Sequence, residues 1–323
     1  MFDVIAVGEL LIDFLPAGMT ENGLSLFSSN PGGAPANVLA MLAKLGAKTA
    51  FIGKVGKDGF GRFLKTTLDN AGIDTSNLLM SSTERTTLAF VHLDEKGERS
   101  FSFYRKHCAD VNLNAGELNR KMLNSCRFLH FGSVSLTDEP SRTATLEAAR
   151  IAKELGAIIS YDPNYRPALW DNEQEAGKYM LEAMEYADLV KVSEEELLIL
   201  TGCKDFSQGA DKLLAIGPSV IFVTCGEKGS YVFTKSCCAN HGGYRVKAVD
   251  TTGAGDTFVG AMLWQLKDMS LEEISQICPE KWKELLAFSN AAGALVTTKK
   301  GAIPAMPDLD TVNAFLGQSF CDK

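Results

Sequence analysis

The sequence predicts an α/β fold in which a mainly parallel central sheet is covered by helices on both faces. Short apolar or β-branched runs alternate with amphipathic stretches along most of the chain. A strand followed by a helix, repeated in this way, implies right-handed crossovers and a parallel sheet buried on both sides. In such a sheet we expect the functional groups in loops at the carboxyl ends of the strands.

The apolar runs predict strands and the amphipathic stretches predict helices. The predicted strands are residues 4–7, 49–52, 128–131, 158–161, 189–192 and 220–224. The predicted helices are residues 34–45, 61–71, 141–155 and 176–186. With 323 residues, the chain is long enough for one large α/β domain or two smaller ones.

Two segments depart from this alternation. Residues 10–30 and 86–105 look like antiparallel strands, the second pair around the turn at residues 94–97, Asp-Glu-Lys-Gly. We expect them to form a small sheet that projects from the main body. One apolar face on such a sheet suits either a lid over a site or a dimer surface, and the pattern does not separate these roles.

Composition narrows the classes of partner. The chain has 32 Lys and Arg against 40 Asp and Glu, a net charge of −8, which disfavours nonspecific binding to nucleic acid or to anionic membranes. We expect a small-molecule substrate, no signal peptide and no membrane span. The eight cysteines have no C-x-x-C spacing, and the four histidines have no metal-ligand spacing, so we interpret the cysteines as reduced thiols of a cytoplasmic protein.

The most informative motif is residues 250–256, Asp-Thr-Thr-Gly-Ala-Gly-Asp, which precede a long apolar segment. Gly253 and Gly255 allow a sharp turn whose N–H groups converge on an anion, and the start of the following helix adds partial positive charge. Asp256 is then placed to take a proton from an attacking hydroxyl. The alternative is an ordinary loop with Asp256 as a solvated or capping residue.

A second glycine-rich element, at residues 30–38, also precedes a helix. Gly32 and Gly33 let the backbone approach a ligand closely, and Asn37 both donates and accepts hydrogen bonds, as a polyol ligand requires. Asp13, just past the first strand, is a further candidate for binding hydroxyls. Taken alone, each of these features is as typical of a turn or a helix cap.

The two glycine-rich motifs resemble the signature regions of the ribokinase-like (PfkB) carbohydrate kinases. The resemblance covers about residues 4–307, with the motifs in the order found in that family. Further matching segments are residues 53–61, 162–166, 191–196, 224–229, 290–294 and 300–304. Within the family, the chain is most similar to fructokinases, through residues 32–38, 103–105, 162–166 and 301–304.

This resemblance implies a three-layer α/β/α sandwich formed by one kinase domain, residues 1–323, with a β-sheet lid from about residues 10–30 and 86–110. It implies transfer of the γ-phosphoryl group of ATP to a free sugar, with D-fructose giving fructose 6-phosphate as the first choice. Kinases of ribose, 2-keto-3-deoxygluconate or a nucleoside share the motifs, because one or two contacts decide between such substrates. The lid also makes a homodimer the expected assembly.

The resemblance further implies roles for individual residues. Asp256 is the base, and the amides of Gly253, Ala254 and Gly255 form the anion hole. The implied sugar site consists of Asp13, Gly32, Gly33, Asn37, Arg105, Asn164 and Arg166. The implied nucleotide site consists of Lys191, Ser193, Glu196, Thr224, Gly226, Gly229 and Asn290.

Two cation sites follow from the same resemblance. Glu196 is expected to hold Mg²⁺ through water, which suits a hard cation that bridges phosphates. The family usually has Asn where this chain has Ser193, so the part played by Ser193 is open. A K⁺ site built largely from carbonyl groups is expected near Asp250, Thr252, Val296, Lys299 and Gly301; the alternative there is a plain structural loop.

Three other classes of protein fit the sequence less well. A nucleotide-dependent dehydrogenase needs Gly-x-Gly-x-x-Gly after the first strand, and a P-loop NTPase needs Gly-x-x-x-x-Gly-Lys-Ser/Thr; the sequence has neither. A non-catalytic sugar-binding protein fits the same fold, because fold does not imply function. Asp256 argues against that last class.

Overall fold

The structure is a computed structural model that describes residues 1–93 and 99–321. Within these ranges it contains two β-sheets. The strands are β1 Phe2–Val7, β2 Leu11–Met19, β3 Ser25–Gly32, β4 Thr49–Gly56, β5 Asp74–Ser81, β6 Leu88–Leu93, β7 Arg99–Tyr104, β8 Cys126–Gly132, β9 Ile158–Asp162, β10 Leu189–Ser193, β11 Val220–Thr224, β12 Ser230–Thr234 and β13 Cys238–His241.

Eleven α-helices are found in the described part of the chain. They are α1 Ala34–Lys44, α2 Gly59–Asn70, α3 Arg120–Leu123, α4 Ser141–Glu154, α5 Glu173–Met184, α6 Glu194–Thr201, α7 Phe206–Leu214, α8 Ala254–Leu266, α9 Leu271–Ser275, α10 Pro279–Val296 and α11 Leu309–Cys321. None of the helices in the described ranges combines the length and the apolar character that crossing a membrane requires.

The larger sheet has nine strands in the order β13-β12-β11-β10-β9-β8-β1-β4-β5. Strand β1 lies between β4 and β8, with Val4 paired with Thr49 on one side and Phe128 on the other. All the pairings are parallel except those made by β12, which runs antiparallel to both of its neighbours. The predicted mainly parallel sheet is therefore confirmed.

Helices cover both faces of this sheet, as predicted. Alternate residues of β1 point to opposite faces, so Val4 and Ala6 pack in the core formed with α1, α8 and α10. Ile5 and Val7 pack in the other core, formed with α4, α5 and α7. Because strands buried on both faces need apolar side chains at every position, the continuous apolar runs were a reliable signal.

The projecting sheet is also present, in the strand order β3-β2-β6-β7. Its pairing differs in one respect from the prediction of antiparallel strands. The pairs β2–β3 and β6–β7 are antiparallel, but β2 and β6 pair in parallel and join the two halves. Strands distant in sequence have no shared turn that fixes their direction, so this pairing had no local signal. The predicted turn at residues 94–97 lies outside the described residues.

Two differences in element bounds have identifiable causes. Helix α5 begins at Glu173, three residues before the predicted start, because the Asn172 side chain caps it by accepting the N–H of Glu175 at 2.8 Å. Strand β4 continues to Gly56, four residues past the predicted end, because residues 53–56 pair with β5.

Candidate active site

Two glycines begin the two helices that build the site. Gly33 precedes α1 with φ 118°, and Gly253 precedes α8 with φ 77°, both in the region that favours glycine. A Cβ on Gly33 would lie 2.4 Å from the Glu9 carbonyl oxygen, and one on Gly253 would lie 2.7 Å from the Ala302 Cβ. Glycine is therefore required at both positions, and the two helix starts can lie side by side.

Asp256 and Asn37 join these two helices. The Asn37 Nδ2 donates to Asp256 Oδ2 at 2.8 Å, and both residues are buried. Burial raises the pKa of the Asp256 carboxyl, while the Asn37 hydrogen bond and the charges of Lys191 and Arg166 counteract part of that rise. The result is a carboxylate with a higher proton affinity than a solvated one, as a general base requires.

The first turn of α8 provides the donors for an anion. The first hydrogen bond within the helix runs from the Thr257 N–H to the Gly253 carbonyl, at 2.8 Å. The Ala254 N–H lies 3.3 Å from the Thr251 carbonyl and closes the turn. The N–H groups of Gly255 and Asp256 belong to the first turn, where a helix offers no carbonyl partner, so they are best placed to receive an anion.

A cavity of about 770 Å³ opens in front of Asp256. The small sheet contributes Leu11, Asp13 and Phe103 to its wall. The structure thus brings sugar-site candidates from several distant segments into one cavity. The predicted site residues that line it are Asp13, Gly33, Asn37, Asn164, Arg166, Lys191, Ser193, Glu196, Gly253, Ala254, Gly255 and Asp256.

Asp13 is the second acid of this cavity. Burial, together with the nearby charges of Asp256 and Asp250, raises its pKa to about 7, and Arg166 limits the rise. Gly32 lies outside the cavity lining but makes room for Asp13, because a Cβ on Gly32 would overlap the Asp13 carboxylate. Asp13 can therefore accept a hydrogen bond from a ligand hydroxyl while it is ionised.

Arg105 is placed differently from the other sugar-site candidates. Its Nε donates to Asp110 Oδ2 at 2.6 Å, and its other nitrogens donate to the Val134 carbonyl at 2.9 Å and to the Thr137 hydroxyl. It does not line the cavity; Val134, which it supports, does. The arginine is buried, and its hydrogen bonds join Asp110 to Val134 and Thr137.

Two acids at or beside the first cavity were not named as site residues from the sequence. Glu9 lines the cavity and accepts the Ala34 N–H at 2.9 Å, and burial raises its pKa to about 7. Asp162, at the end of β9, is an acceptor for the ammonium group of Lys191 at 3.1 Å. Both acids lie just past or at the carboxyl ends of central strands, which is the signal that could have identified them.

A second cavity, of about 470 Å³, lies on the other side of the α8 start. It is lined by the nucleotide-site candidates Thr224, Gly226, Gly229 and Asn290. Asn290 is fixed there by the Ser230 hydroxyl at 2.9 Å and the His241 carbonyl at 3.2 Å.

The two cavities meet at the start of α8. Residues Thr251, Ala254 and Gly255 belong to both linings. A group held in the second cavity can therefore reach a group in the first across the first turn of this helix.

The residues near Asp250 form a tight turn next to the end of α10. Asp250 Oδ1 accepts from the backbone and hydroxyl of Thr252 at 3.0 and 2.7 Å, and Oδ2 accepts the Gly301 N–H at 3.0 Å. The Asp250 N–H donates to the Thr297 carbonyl at 3.1 Å. Val296 is the last residue of α10, and its carbonyl accepts the N–H of Lys299, just past the helix, at 3.4 Å. This cluster of carboxylate and carbonyl oxygens fits a monovalent cation.

Glu196 is the carboxylate near which the resemblance implied a hydrated divalent cation. Glu196 is buried at the start of α6, and its two carboxylate oxygens accept the N–H groups of Tyr165 and Ser193, both at 2.7 Å. In the described ranges, no three His, Cys, Asp or Glu side chains are grouped to hold a metal. Mg²⁺ commonly keeps several waters and is held by one or two carboxylates with substrate phosphates, and Glu196 is the carboxylate that could accept from such a water.

Comparison with known proteins agrees with this geometry. Residues 1–309 match the family model described as pfkB family carbohydrate kinase. The chain belongs to this family.

A related sequence and a related solved structure are both similar to this pfkB kinase over nearly its whole length. It is 45% identical over 312 residues to fructokinase-2 of Solanum lycopersicum, covering 94% of this chain and 93% of the relative. The solved structure of a fructokinase with bound ATP from Xylella fastidiosa superposes with a TM-score of 0.92 at 34% identity, covering 99% of this chain and 100% of that one.

A third relative was solved with a sugar and a nucleotide bound. It is a double mutant of the Vibrio cholerae O395 fructokinase in a form with fructose, ADP and a potassium ion bound. The superposition has a TM-score of 0.86 at 36% identity and covers 97% of each chain. The ribokinase-like three-layer fold is thereby confirmed.

Ser193 stands at the position where the resemblance implied asparagine. The Ser193 hydroxyl accepts the Glu196 N–H at 3.1 Å, while Glu196 accepts the Ser193 N–H, so the pair forms a capping box at the start of α6. Serine is a good helix N-cap, as asparagine is. The spacing Ser-x-x-Glu was the sequence signal for this role.

Proposed function

We propose that this chain is an ATP-dependent fructokinase that phosphorylates D-fructose to fructose 6-phosphate. One observation carries the proposal: Asp256, hydrogen-bonded by Asn37 of α1, lies at the start of α8, where the two cavities meet. A sugar in the first cavity and a nucleotide in the second would face each other across the donors of this turn. The fructokinase relatives, and fructose and ADP in one of them, support the choice of substrates.

The chemistry follows from the position of Asp256. A fructose hydroxyl donates its hydrogen bond to the Asp256 carboxylate, which takes the proton as the hydroxyl oxygen attacks the γ-phosphorus. The N–H groups of Gly255 and Asp256 stabilise the negative charge on the phosphoryl oxygens, and ADP leaves into the second cavity. Mg²⁺ held near Glu196, when bound, would neutralise phosphate charge, and K⁺ near Asp250 would fix the turn before α8.

The small sheet serves as a lid on a single kinase domain in this proposal. Its residues Leu11, Asp13 and Phe103 line the first cavity, so a small movement of the sheet would close the cavity over the sugar. Closure would exclude water, which otherwise competes with fructose for the phosphoryl group.

A homodimer through this lid is part of the proposal. The sheet and its neighbouring turn expose large apolar side chains, which a second copy would bury. These are Met19, Leu24, Leu26, Phe27 and Tyr104. Light scattering at working concentration tests this assembly, and a monomer there would exclude it.

A cytoplasmic location also belongs to the proposal. Seven cysteines have side chains within the described part of the chain, and all seven are free thiols. Free thiols are typical of reducing compartments. Fractionation of cells that express the tagged chain tests this point.

The decisive experiment is a coupled ADP-release assay with a panel of free sugars, compared by kcat/KM. We expect D-fructose to give the highest value, with the phosphate on O6 by NMR. Ribose or 2-keto-3-deoxygluconate ranking well above fructose would contradict the substrate and leave the kinase assignment standing. ADP release with none of the sugars or nucleosides would favour the non-catalytic alternative.

A further inference from the structure

We propose that Glu9 is a positioning residue for the transfer reaction: it fixes the start of α1 and thereby holds Asn37 against Asp256. This role rests on the proposed kinase function. It belongs to a buried acid that takes no part in the chemistry of Asp256 and the first turn of α8.

The start of α1 has no cap of its own. Its N-cap residue, Gly33, has no side chain, and no acidic residue lies in the first turn. A helix start leaves N–H groups unpaired and carries partial positive charge, so it needs an acceptor. Glu9 provides one from 25 positions earlier in the chain, since its Oε1 accepts the Ala34 N–H at 2.9 Å.

Backbone packing explains why this cap comes from another segment. Gly33 has φ 118°, and a Cβ there would lie 2.4 Å from the Glu9 carbonyl oxygen. Gly8 is packed in the same way, because a Cβ on it would lie 2.8 Å from Pro35 Cγ. The end of β1 therefore lies in direct contact with the start of α1, and this contact leaves no room for a capping side chain at Gly33.

A chain of hydrogen bonds leads from Glu9 to the base. The peptide group between Gly33 and Ala34 donates its N–H to Glu9, and its carbonyl accepts the Asn37 N–H at 3.0 Å. The Asn37 side chain then donates to Asp256 Oδ2 at 2.8 Å. Glu9 thus orients the peptide group that holds the backbone of Asn37, and loss of this acceptor frees the Asn37 side chain to leave the base.

The surroundings of Glu9 indicate a functional role and not a contribution to stability. Glu9 is 3% exposed and belongs to the lining of the first cavity, and its Oε2 is buried without a hydrogen-bond partner among the described residues. Burying a carboxyl group with one oxygen unpaired is costly, so its presence needs an explanation. Its contact with the helix that carries Asn37 provides one.

A double-mutant cycle with Asn37 tests whether Glu9 acts through that residue. Glu9→Ala alone should lower fructose kcat/KM about tenfold, about the effect of losing one buried hydrogen bond. In the Asn37→Ala background, the same substitution should lower it less than about threefold further, because the side chain that Glu9 positions is already absent. A full tenfold further loss in that background would overturn the proposal.

The KM for ATP gives a second readout of Glu9→Ala. Glu9 lines the first cavity and not the second, so this KM should stay within about twofold of its value in the unmodified chain. A rise in the KM for ATP as large as the loss of fructose kcat/KM would contradict a role on the sugar side.

Glu9→Gln is the conservative variant. Its carboxamide oxygen can still accept the Ala34 N–H, so fructose kcat/KM should return to within about threefold of the unmodified chain. Burial raises the pKa of Glu9 to about 7, so the neutral carboxyl already occurs near neutral pH and a neutral carboxamide is a fair substitute. A folded Glu9→Gln variant as impaired as Glu9→Ala would show that the hydrogen bond to α1 is not what matters, and would overturn the proposal.

Asp188 offers a matched control. It is also buried, its Oδ2 accepts the Ile159 N–H at 2.8 Å, and its other oxygen pairs with Lys153. It directly precedes β10 and contacts the start of β9, so it lies at the amino ends of the strands, away from both cavities.

Asp188→Ala should lower the melting temperature about as much as Glu9→Ala and keep fructose kcat/KM within about threefold. A loss of kcat/KM equal to that of Glu9→Ala would show that reduced stability alone explains the kinetics, which would overturn the proposal.

A crystal structure of Glu9→Ala requires no activity and so separates this proposal from the proposed function. We expect the first turn of α1 to shift and Asn37 Nδ2 to lie beyond hydrogen-bond distance, about 3.5 Å, from Asp256. An unchanged contact of 2.8 Å would overturn the positioning role, whatever the substrate. Should the sugar panel favour another sugar over fructose, the kinetic comparisons are made with that sugar.

Discussion

The two cavities that meet at the start of α8 are built on different principles. The first brings Asp13, Arg166, Lys191 and Asp256 together, and burial raises the pKa values of Asp13 and Asp256. The second is formed largely by glycines and small side chains around Asn290. The difference teaches that the first cavity supplies charge for chemistry and the second supplies shape for binding. Substitutions in the first should therefore change kcat, and those in the second should change the KM for ATP.

Replacing the base in the first cavity should lower kcat more than any other substitution. In Asp256→Asn the carboxamide cannot take the hydroxyl proton, so we expect kcat to fall about 10³- to 10⁴-fold. ATP affinity, measured by calorimetry, should stay within about threefold. Near-native turnover in a folded Asp256→Asn variant would remove the assigned base.

Asn37 should come next in effect. Its Nδ2 donates to Asp256, and its Oδ1 is buried without a partner among the described residues, free to accept a hydroxyl. Asn37→Ala loses a hydrogen bond to a charged group, about 2 kcal/mol, so fructose kcat/KM should fall about 30-fold. Steady-state kinetics at fixed ATP measure this. A change confined to the KM for ATP would show that Asn37 acts on the nucleotide and not on the sugar.

The pH dependence of fructose kcat/KM should report the acids of the first cavity. Asp13, with a pKa of about 7, and Asp256, with a raised pKa, accept hydroxyl protons only when ionised. Because each takes up a proton as pH falls through its raised pKa, fructose kcat/KM should fall below pH 7, about tenfold per unit for one group. Profiles from pH 5.5 to 8.5 measure this. A flat profile down to pH 5.5 would show that neither acid acts with a raised pKa.

Asn290 should give the smallest effect. Asn290→Ala removes neutral contacts in the second cavity, so we expect the KM for ATP to rise about fivefold with kcat nearly unchanged. Its pH profile for fructose should match that of the unmodified chain. A kcat loss as large as that of Asn37→Ala would show that the second cavity also contributes to the chemical step.

Much of the fold and site could be predicted because their signals are local. The apolar strands, the two glycine-rich helix starts and Asp256 are readable from neighbouring residues, and so is the Ser193–Glu196 capping box. Other features depend on contacts between distant segments. The parallel pairing of β2 with β6 could not be predicted, and neither could the position of Arg105 outside the cavity lining, hydrogen-bonded to Val134. In both cases the partners come from distant parts of the chain.

The contacts of the acids Glu9 and Asp162 could not be predicted from the sequence either. Each is a single residue at or near a strand end, and its partner, Ala34 or Lys191, lies about 25 to 29 positions away. Position at the carboxyl edge of the sheet marks them as candidates, but only the packed structure shows what they hold.

The central claim is that sugar and nucleotide face each other across the first turn of α8, with Asp256 beside the accepting hydroxyl. A crystal structure with fructose and a non-hydrolysable ATP analogue measures this directly. The account predicts fructose in the first cavity, with its accepting oxygen at hydrogen-bond distance from Asp256, about 2.6–3.2 Å, and the adenosine beside Asn290. Fructose bound with every hydroxyl remote from Asp256, or a nucleotide outside the second cavity, would contradict it.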